Sequence, residues 1–207
     1  SITTQVSANV DAGFSIVQYT AAGNQSFGHG LSQAPELIIQ KLYSTTGGWY
    51  VYSAPTGLQK YLQLNSNAAL GGPDSSWITA VTNATFTANW SGNSHSYVNY
   101  CFHSVAGYSK IGSYTGNGSA TGPIVTLGFE PAWIMIKRTD ATANWRILDN
   151  KRSTTNPINK ELYPPLSNAE GTFSALDFLS NGFQIINTDS SYNASGGTYI
   201  YMAFAAT

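Results

Sequence analysis

A single cysteine stands among 207 residues, so no disulfide can form within the chain. Stability has to come from packing, which suits folding in a reducing cytosol rather than in an oxidising compartment. Charge is scarce as well. Asp, Glu, Lys and Arg together make up 9% of the residues, where roughly 25% is usual for globular proteins. The nine basic residues cluster only at Lys137-Arg138 and Lys151-Arg152, and the net charge is −1. Nucleic acid needs a concentrated basic face and is not an expected partner. No apolar run approaches the roughly 18 residues of a spanning helix, so no membrane insertion is expected. The start, Ser1-Ile-Thr-Thr4, has neither the basic opening nor the apolar stretch of a signal peptide. It has no initiator Met, and the chain is expected to be a fragment or a processed product.

Motifs that carry chemistry are also missing. His29, His95 and His103 stand far apart, each without a short-spaced ligand partner, and one cysteine cannot build a zinc site. There is no Gly-x-Ser-x-Gly elbow, and Gly116-Asn-Gly-Ser-Ala120 has no Lys-Ser/Thr behind it to hold phosphate. Asp189-Ser-Ser-Tyr-Asn193 is the most oxygen-rich acidic loop and the one weak calcium candidate. A glycosidase needs two facing carboxylates, and no local spacing pairs any here. Asp149 is expected to pair with Arg152 or Lys151. Hence no catalytic residue, metal or cofactor is expected, and the chain reads as a non-enzyme.

What the sequence does contain is an internal repeat. Gly13-Phe-Ser-Ile-Val17 matches Gly107-Tyr-Ser-Lys-Ile111. Pro35-Glu-Leu-Ile-Ile-Gln-Lys41 matches Pro131-Ala-Trp-Ile-Met-Ile-Lys137. Trp49 falls on Trp145, and Tyr97-Val-Asn-Tyr-Cys-Phe-His103 falls on Tyr199-Ile-Tyr-Met-Ala-Phe-Ala205. The matches are collinear, and the unit of about 95 residues exceeds any common solenoid repeat. The matched segments are short, rich in Val, Ile, Tyr, Phe and Trp, and bounded by Gly, Asn, Ser and Pro, which marks strands. In the closing segment Tyr97, Asn99, Cys101 and His103 alternate with Val98, Tyr100 and Phe102, so the first set shares one face. Cys101 reads as a buried structural thiol. The fold class is therefore all-β: an antiparallel β-sandwich architecture built from two homologous repeats. The division is 1–12 as an N-terminal connecting segment, 13–106 as the first repeat and 107–207 as the second. The join at Ser104-Val-Ala-Gly107 is too short for a flexible linker, so the halves are expected to pack closely. One interlocked sandwich and two tandem ones both fit.

The two copies differ in surface chemistry. Residues 1–106 carry five of the nineteen charged side chains and residues 107–207 the other fourteen. Depletion of charge marks interface cores, so the first copy is the better candidate for a buried or ligand-facing surface. Trp49 and Trp145 occupy equivalent positions and read as core. Trp77 and Trp90 have no aromatic counterpart and flank turn-rich stretches. An aromatic at a loop edge can stack on a sugar face while neighbouring amides read hydroxyls. The candidate ligand residues are Trp77, Trp90, Tyr43, Asn89 and Asn93, with Tyr50 and Tyr52 bordering the same region. Burial in the core or in a subunit interface is the competing reading for the tryptophans.

Ala12-Gly-Phe-Ser-Ile-Val-Gln-Tyr-Thr20, Gly128-Phe-Glu-Pro-Ala-Trp-Ile-Met-Ile-Lys-Arg138, Asp177-Phe-Leu-Ser-Asn-Gly-Phe183 and Ala194-Ser-Gly-Gly-Thr-Tyr-Ile-Tyr-Met-Ala-Phe204 resemble a duplicated module of tailed-bacteriophage virion proteins. The resemblance runs from about Val6 to Ala205. It implies a tail-fibre or appendage domain, similar in flavour to concanavalin-like sandwiches, made in the host cytoplasm and displayed on the virion surface. Other virion subunits, copies of itself in a homo-oligomer (a trimer by analogy) and a host-surface glycan are the implied partners. Capsid decoration or a head fibre is the alternative role, and a glycan depolymerase the third.

Overall fold

A computed structural model describes residues 4–21, 23–90 and 94–206, with Trp90 described by its backbone alone. The chain divides into two compact units, Ser1–Leu64 with Leu70–Val105, and Asn65–Ala69 with Ala106–Thr207. Both are built of antiparallel strands. Helix among the described residues is limited to a 3-10 turn at Ala54–Thr56 and one short helix in the second unit.

The first unit holds β1 (Gln5–Asn9), β2 (Phe14–Thr20), β3 (Gly23–Gly28), β4 (Leu37–Leu42), β5 (Trp49–Ser53), β6 (Leu62–Gln63), β7 (Ile78–Val81), β8 (Thr85–Trp90) and β9 (Ser96–Phe102). One sheet runs β1-β2-β9-β4-β5-β6 and the other β3-β8-β7. Alternation decides which side chains enter the core. In β9, Tyr97, Asn99 and Cys101 are buried, as the sequence pattern requires, and His103 just beyond the strand is buried with them. In β2, Val17 and Tyr19 point in while Ile16, Gln18 and Thr20 point out. Val17, Tyr19, Ile38, Tyr97 and Cys101 from the larger sheet meet Phe27, Ile78, Phe86 and Ala88 from the smaller one in a single cluster. Two sheets closing on one apolar layer make a β-sandwich. Tyr19 stacks on Phe27 with ring centroids 3.6 Å apart, pinning the sheets face to face. The polar groups in this layer are bonded to one another. Gln40 Nε2 donates to Tyr19 Oη at 2.7 Å and to Asn99 Oδ1 at 2.9 Å. Residues 1–12 do more than connect: Gln5–Asn9 pairs along the whole of its length with β2 as an edge strand. Its side chains are all exposed, so it carries no core periodicity by which to recognise it.

The second unit holds β10 (Ser109–Thr115), β11 (Ile124–Thr126), β12 (Pro131–Arg138), β13 (Arg146–Asp149), β14 (Ile158–Leu162), β15 (Gly171–Leu179), β16 (Gly182–Ile185), α1 (Ser190–Asn193) and β17 (Thr198–Ala205). They form one sheet in the order β10-β17-β12-β13-β14-β15-β16-β11. Ile134, Ile136, Leu148, Tyr199 and Tyr201 from one end of that sheet share a cluster with Val125, Leu176, Phe178, Phe183 and Ile185 from the other. The sheet therefore folds back on itself, and its two arms enclose the core. The strand path β2-β9-β4-β5 of the first unit has the same order as β10-β17-β12-β13 of the second, and β3-β8-β7 the same order as β11-β16-β15.

Candidate functional site

The expected ligand residues do not gather in one place. Trp77 is 1% exposed and belongs to the core cluster of the first unit. The turn before it explains why. Asp74 O accepts from Trp77 N at 3.1 Å, and Asp74 Oδ1 accepts from Ser76 N at 2.8 Å. This bends the chain inward and drives the indole between the sheets. Its position as a sugar-stacking residue is therefore corrected: a ring with no exposed face cannot meet an external ligand. Tyr52 is buried too, and Tyr50 packs against Tyr61 and Trp77 with centroids 5.4 and 5.6 Å away. Asn89 is half-buried in β8, its Nδ2 donating to Ser75 O at 3.5 Å. Asn93 and the side chain of Trp90 lie outside the described residues.

Tyr43 is the candidate that reaches the surface, 48% exposed just past the end of β4. Its backbone N–H donates to Ser96 O at 3.0 Å, and Ser96 N donates to Ser44 Oγ at 3.0 Å, so the residue is held to the sheet. Gln18 Nε2 donates to the Tyr43 phenol. Gln5 lies opposite Gln18 across the β1–β2 pair. Together with Tyr19 and Thr20 these residues line a hollow of about 200 Å³. Thr20 Oγ1 lies 3.0 Å from Ser96 Oγ beside it. An exposed ring edged by two carboxamides and a hydroxyl offers stacking together with both donors and acceptors. Ligand pockets usually measure roughly 300–1,000 Å³, and this hollow is smaller.

The ionisable side chains of the second unit bond to one another. Arg146 Nη1 donates to Glu161 Oε1 at 2.6 Å, Tyr192 Oη donates to Glu161 Oε2 at 2.5 Å, and the Tyr163 phenol also donates to Glu161. Burial, reinforced by the Glu161 carboxylate, pushes the Tyr192 phenol well above its ordinary pKa. Asp149 pairs with Arg152, Nε to Oδ2 at 2.7 Å. Burial pushes the Asp149 carboxyl up, but the backbone N–H groups of Arg152 and Lys151 and the Arg152 guanidinium outweigh it, leaving the pKa below the ordinary value. Asp189 caps α1, accepting from Ser191 N. Lys137 is fully buried and donates to Arg138 O at 2.7 Å; burial lowers its pKa to about 8. Its amine is sealed from any substrate. Burial likewise pushes the Cys101 thiol up to about 12, an inert structural thiol. Among the described residues no three His, Cys, Asp or Glu side chains converge as metal ligands do.

The profile of the family described as Domain of unknown function (DUF7483) matches residues 1–207. The chain belongs to this family. No curated protein and no solved structure matches the chain. Of the expected ligand residues whose side chains are described, Tyr43 has the exposed ring, beside Gln5 and Gln18.

Proposed function

We propose that this chain is a non-enzymatic virion-surface domain of a tailed phage, carried on a tail fibre or related appendage and built from two duplicated units, and that it contacts host-surface glycan. The observation that carries the reading is the Tyr43 hollow: an exposed aromatic ring against Gln5, Gln18 and Thr20, in the half of the chain that holds five of nineteen charges. Hydroxyl-rich ligands are recognised by such amide and aromatic groups rather than by charge. One shallow contact is weak, and a homo-oligomeric fibre multiplies it through effective concentration. A depolymerase is disfavoured at Asp149, which bonds Arg152 at 2.7 Å and lies below its ordinary pKa, whereas a glycosidase acid needs a raised one.

Glycan-array binding of the whole chain tests this reading. Binding should fall at least tenfold in Tyr43→Ala with an unchanged melting temperature. No binding to any glycan or host-envelope fraction, or full binding by Tyr43→Ala, overturns it. The second reading, capsid decoration, is favoured by the same shortage of charge, which suits burial against a partner subunit. Electron microscopy of virions labelled on this chain separates head from tail.

A further inference from the structure

β1 stands at one end of its sheet, and no described strand pairs with its outer side. The neighbouring strands fix where its backbone groups point. His103 N donates to Gly13 O and Ala21 N donates to His95 O, so the odd-numbered residues of β2 turn their backbone groups toward β9. The even-numbered Phe14, Ile16 and Gln18 therefore face β1, where they lie opposite Asn9, Ser7 and Gln5. Val6 and Ala8 are left with their N–H and C=O groups directed outward. An edge of this kind is a template for a further strand.

Proteins blunt such edges with charge, proline, bulges or short length. Gln5-Val-Ser-Ala-Asn9 has no charged residue and no proline, and it pairs with β2 without a register shift. The opposite end of the same sheet is blunted by length, since β6 has only two residues. The end strand β10 of the second unit carries a lysine, Lys110. The side chains of β1 point the same way. Val6 lies opposite the fully buried Val17 and so shares its core-facing side of the sheet. Val6 and Ala8 rest over Gly30, where a Cβ would lie 2.8 Å from Val6 Cγ1 and 3.2 Å from Ala8 Cβ. Val6 nevertheless stays 43% exposed, because nothing continues the sheet beyond it.

This edge is its own complement. Antiparallel pairing with a second copy about Ser7 sets Val6 opposite Ala8 and Gln5 opposite Asn9, with Ser7 at the twofold axis. The residues with outward backbone groups then exchange hydrogen bonds, apolar side chains meet on one face, and carboxamides meet on the other. A twofold axis brings each group near its own copy, and an uncharged strand tolerates that. We propose that β1 is a self-association surface, joining two copies of the chain through an isologous β1–β1 pairing into one continuous sheet. One strand per copy is a small contact beside the roughly 1,200–2,000 Å² of stable interfaces, so the dimer is weak and forms at high local concentration. The axis stands perpendicular to the sheet, which keeps the two Tyr43 hollows on the same face and doubles the glycan contacts. That consequence rests on the proposed function; the pairing does not.

Sedimentation velocity of the whole chain from micromolar to millimolar concentration tests the pairing. The mass should rise toward that of two chains. Over the same range the Val6 and Ala8 amides should exchange hydrogen more slowly, while the Ser7 amide, already bonded to β2, should not change. Ser7 is exposed, so charge there leaves the fold intact. Ser7→Lys and Ser7→Glu should each weaken dimerisation about tenfold or more by setting like charges opposite each other. An equimolar mixture of the two should recover the dimer, because the facing charges are then of opposite sign. A chain monomeric to millimolar concentration overturns the proposal, whether the edge then takes a foreign strand or none. So does a dimer that Ser7→Lys leaves intact, or a mixture that associates no better than either variant. None of these outcomes bears on glycan binding by the single chain, which Tyr43→Ala reports.

Discussion

Arg146 and Glu161 form an ion pair across β13 and β14, with Nη1 2.6 Å from Oε1 and the carboxylate side chain 2% exposed. The guanidinium lies over the rings of Tyr163 and Tyr192, 4.7 and 5.4 Å from their centroids. Every member of this cluster leans on Glu161. Breaking a buried pair by removing one partner strands the other charge, at a cost of about 3–5 kcal/mol. Glu161→Ala should therefore destabilise the chain by about that amount in urea unfolding. The double variant Arg146→Met/Glu161→Leu should lose less than the two single changes added together, because it leaves no orphan charge.

His29 predicts an acid sensitivity at mild pH. The side chain is fully buried, its Nδ1 accepting from Leu31 N at 3.1 Å and its Nε2 lying 3.1 Å from Thr82 O. Burial lowers its pKa below the ordinary 6.5, the hydrogen bond to Thr82 opposes this, and His103 nearby lowers it further. As pH falls through 6.5 the unfolded chain takes up a proton that the folded chain refuses. Stability therefore drops from about pH 6.5 downward, until the folded pKa is passed. Carboxylates with lowered pKa values act only below about pH 4, so the interval from 7 to 5 lies above their range. Melting temperature should fall across that interval in the parent chain, and the slope should flatten in His29→Gln. An equal slope in the variant refutes the assignment.

Trp77 and Tyr43 should separate fold from surface. Emptying the Trp77 site leaves a cavity between the sheets, so Trp77→Ala should cost about 3–5 kcal/mol. Tyr43→Ala removes an exposed side chain and should change stability by no more than about 0.5 kcal/mol. Denaturant titrations of the two variants side by side measure the difference.

The contrast between these two residues shows what the sequence could reveal. Period-two alternation in β2 and β9 reports a strand with one buried face, and Tyr97, Asn99 and Cys101 are buried as that alternation requires. Proximity to a turn carries no such information. Trp77 follows a Gly- and Ser-rich stretch and still points into the core, because the direction of a side chain leaving a turn depends on that turn's hydrogen bonds. Equivalence in the self-alignment has the same limit. Trp145 is 1% exposed while Trp49 is half-buried, lying 5.6 Å from Lys41 Nζ and 6.4 Å from the Tyr100 ring. The second unit gains Asn65–Ala69 at this end, with Asn67 O accepting from Ala143 N at 2.9 Å, and nothing in the local sequence announces that crossing.

Gly13 and Gly107 open the two matched segments, and both adopt a left-handed backbone, φ +63° and +75°. A side chain at either position costs about 1–2 kcal/mol in backbone conformation alone. Their surroundings differ. A Cβ on Gly13 would lie 2.6 Å from His103 O and 2.8 Å from Val105 Cγ2, whereas one on Gly107 would meet nothing within 4 Å. The His103 carbonyl cannot retreat easily, because the same residue's N–H donates to Gly13 O at 2.9 Å. Gly107→Ala should therefore cost about 1–2 kcal/mol, and Gly13→Ala clearly more, since it must also displace the end of β9. Gly107→Asn should recover part of the loss, as asparagine tolerates this conformation, while Gly13→Asn should not. Equal melting temperatures for the two alanine variants would mean that the crowding around Gly13 relaxes at no cost and that backbone conformation alone selects glycine at both positions.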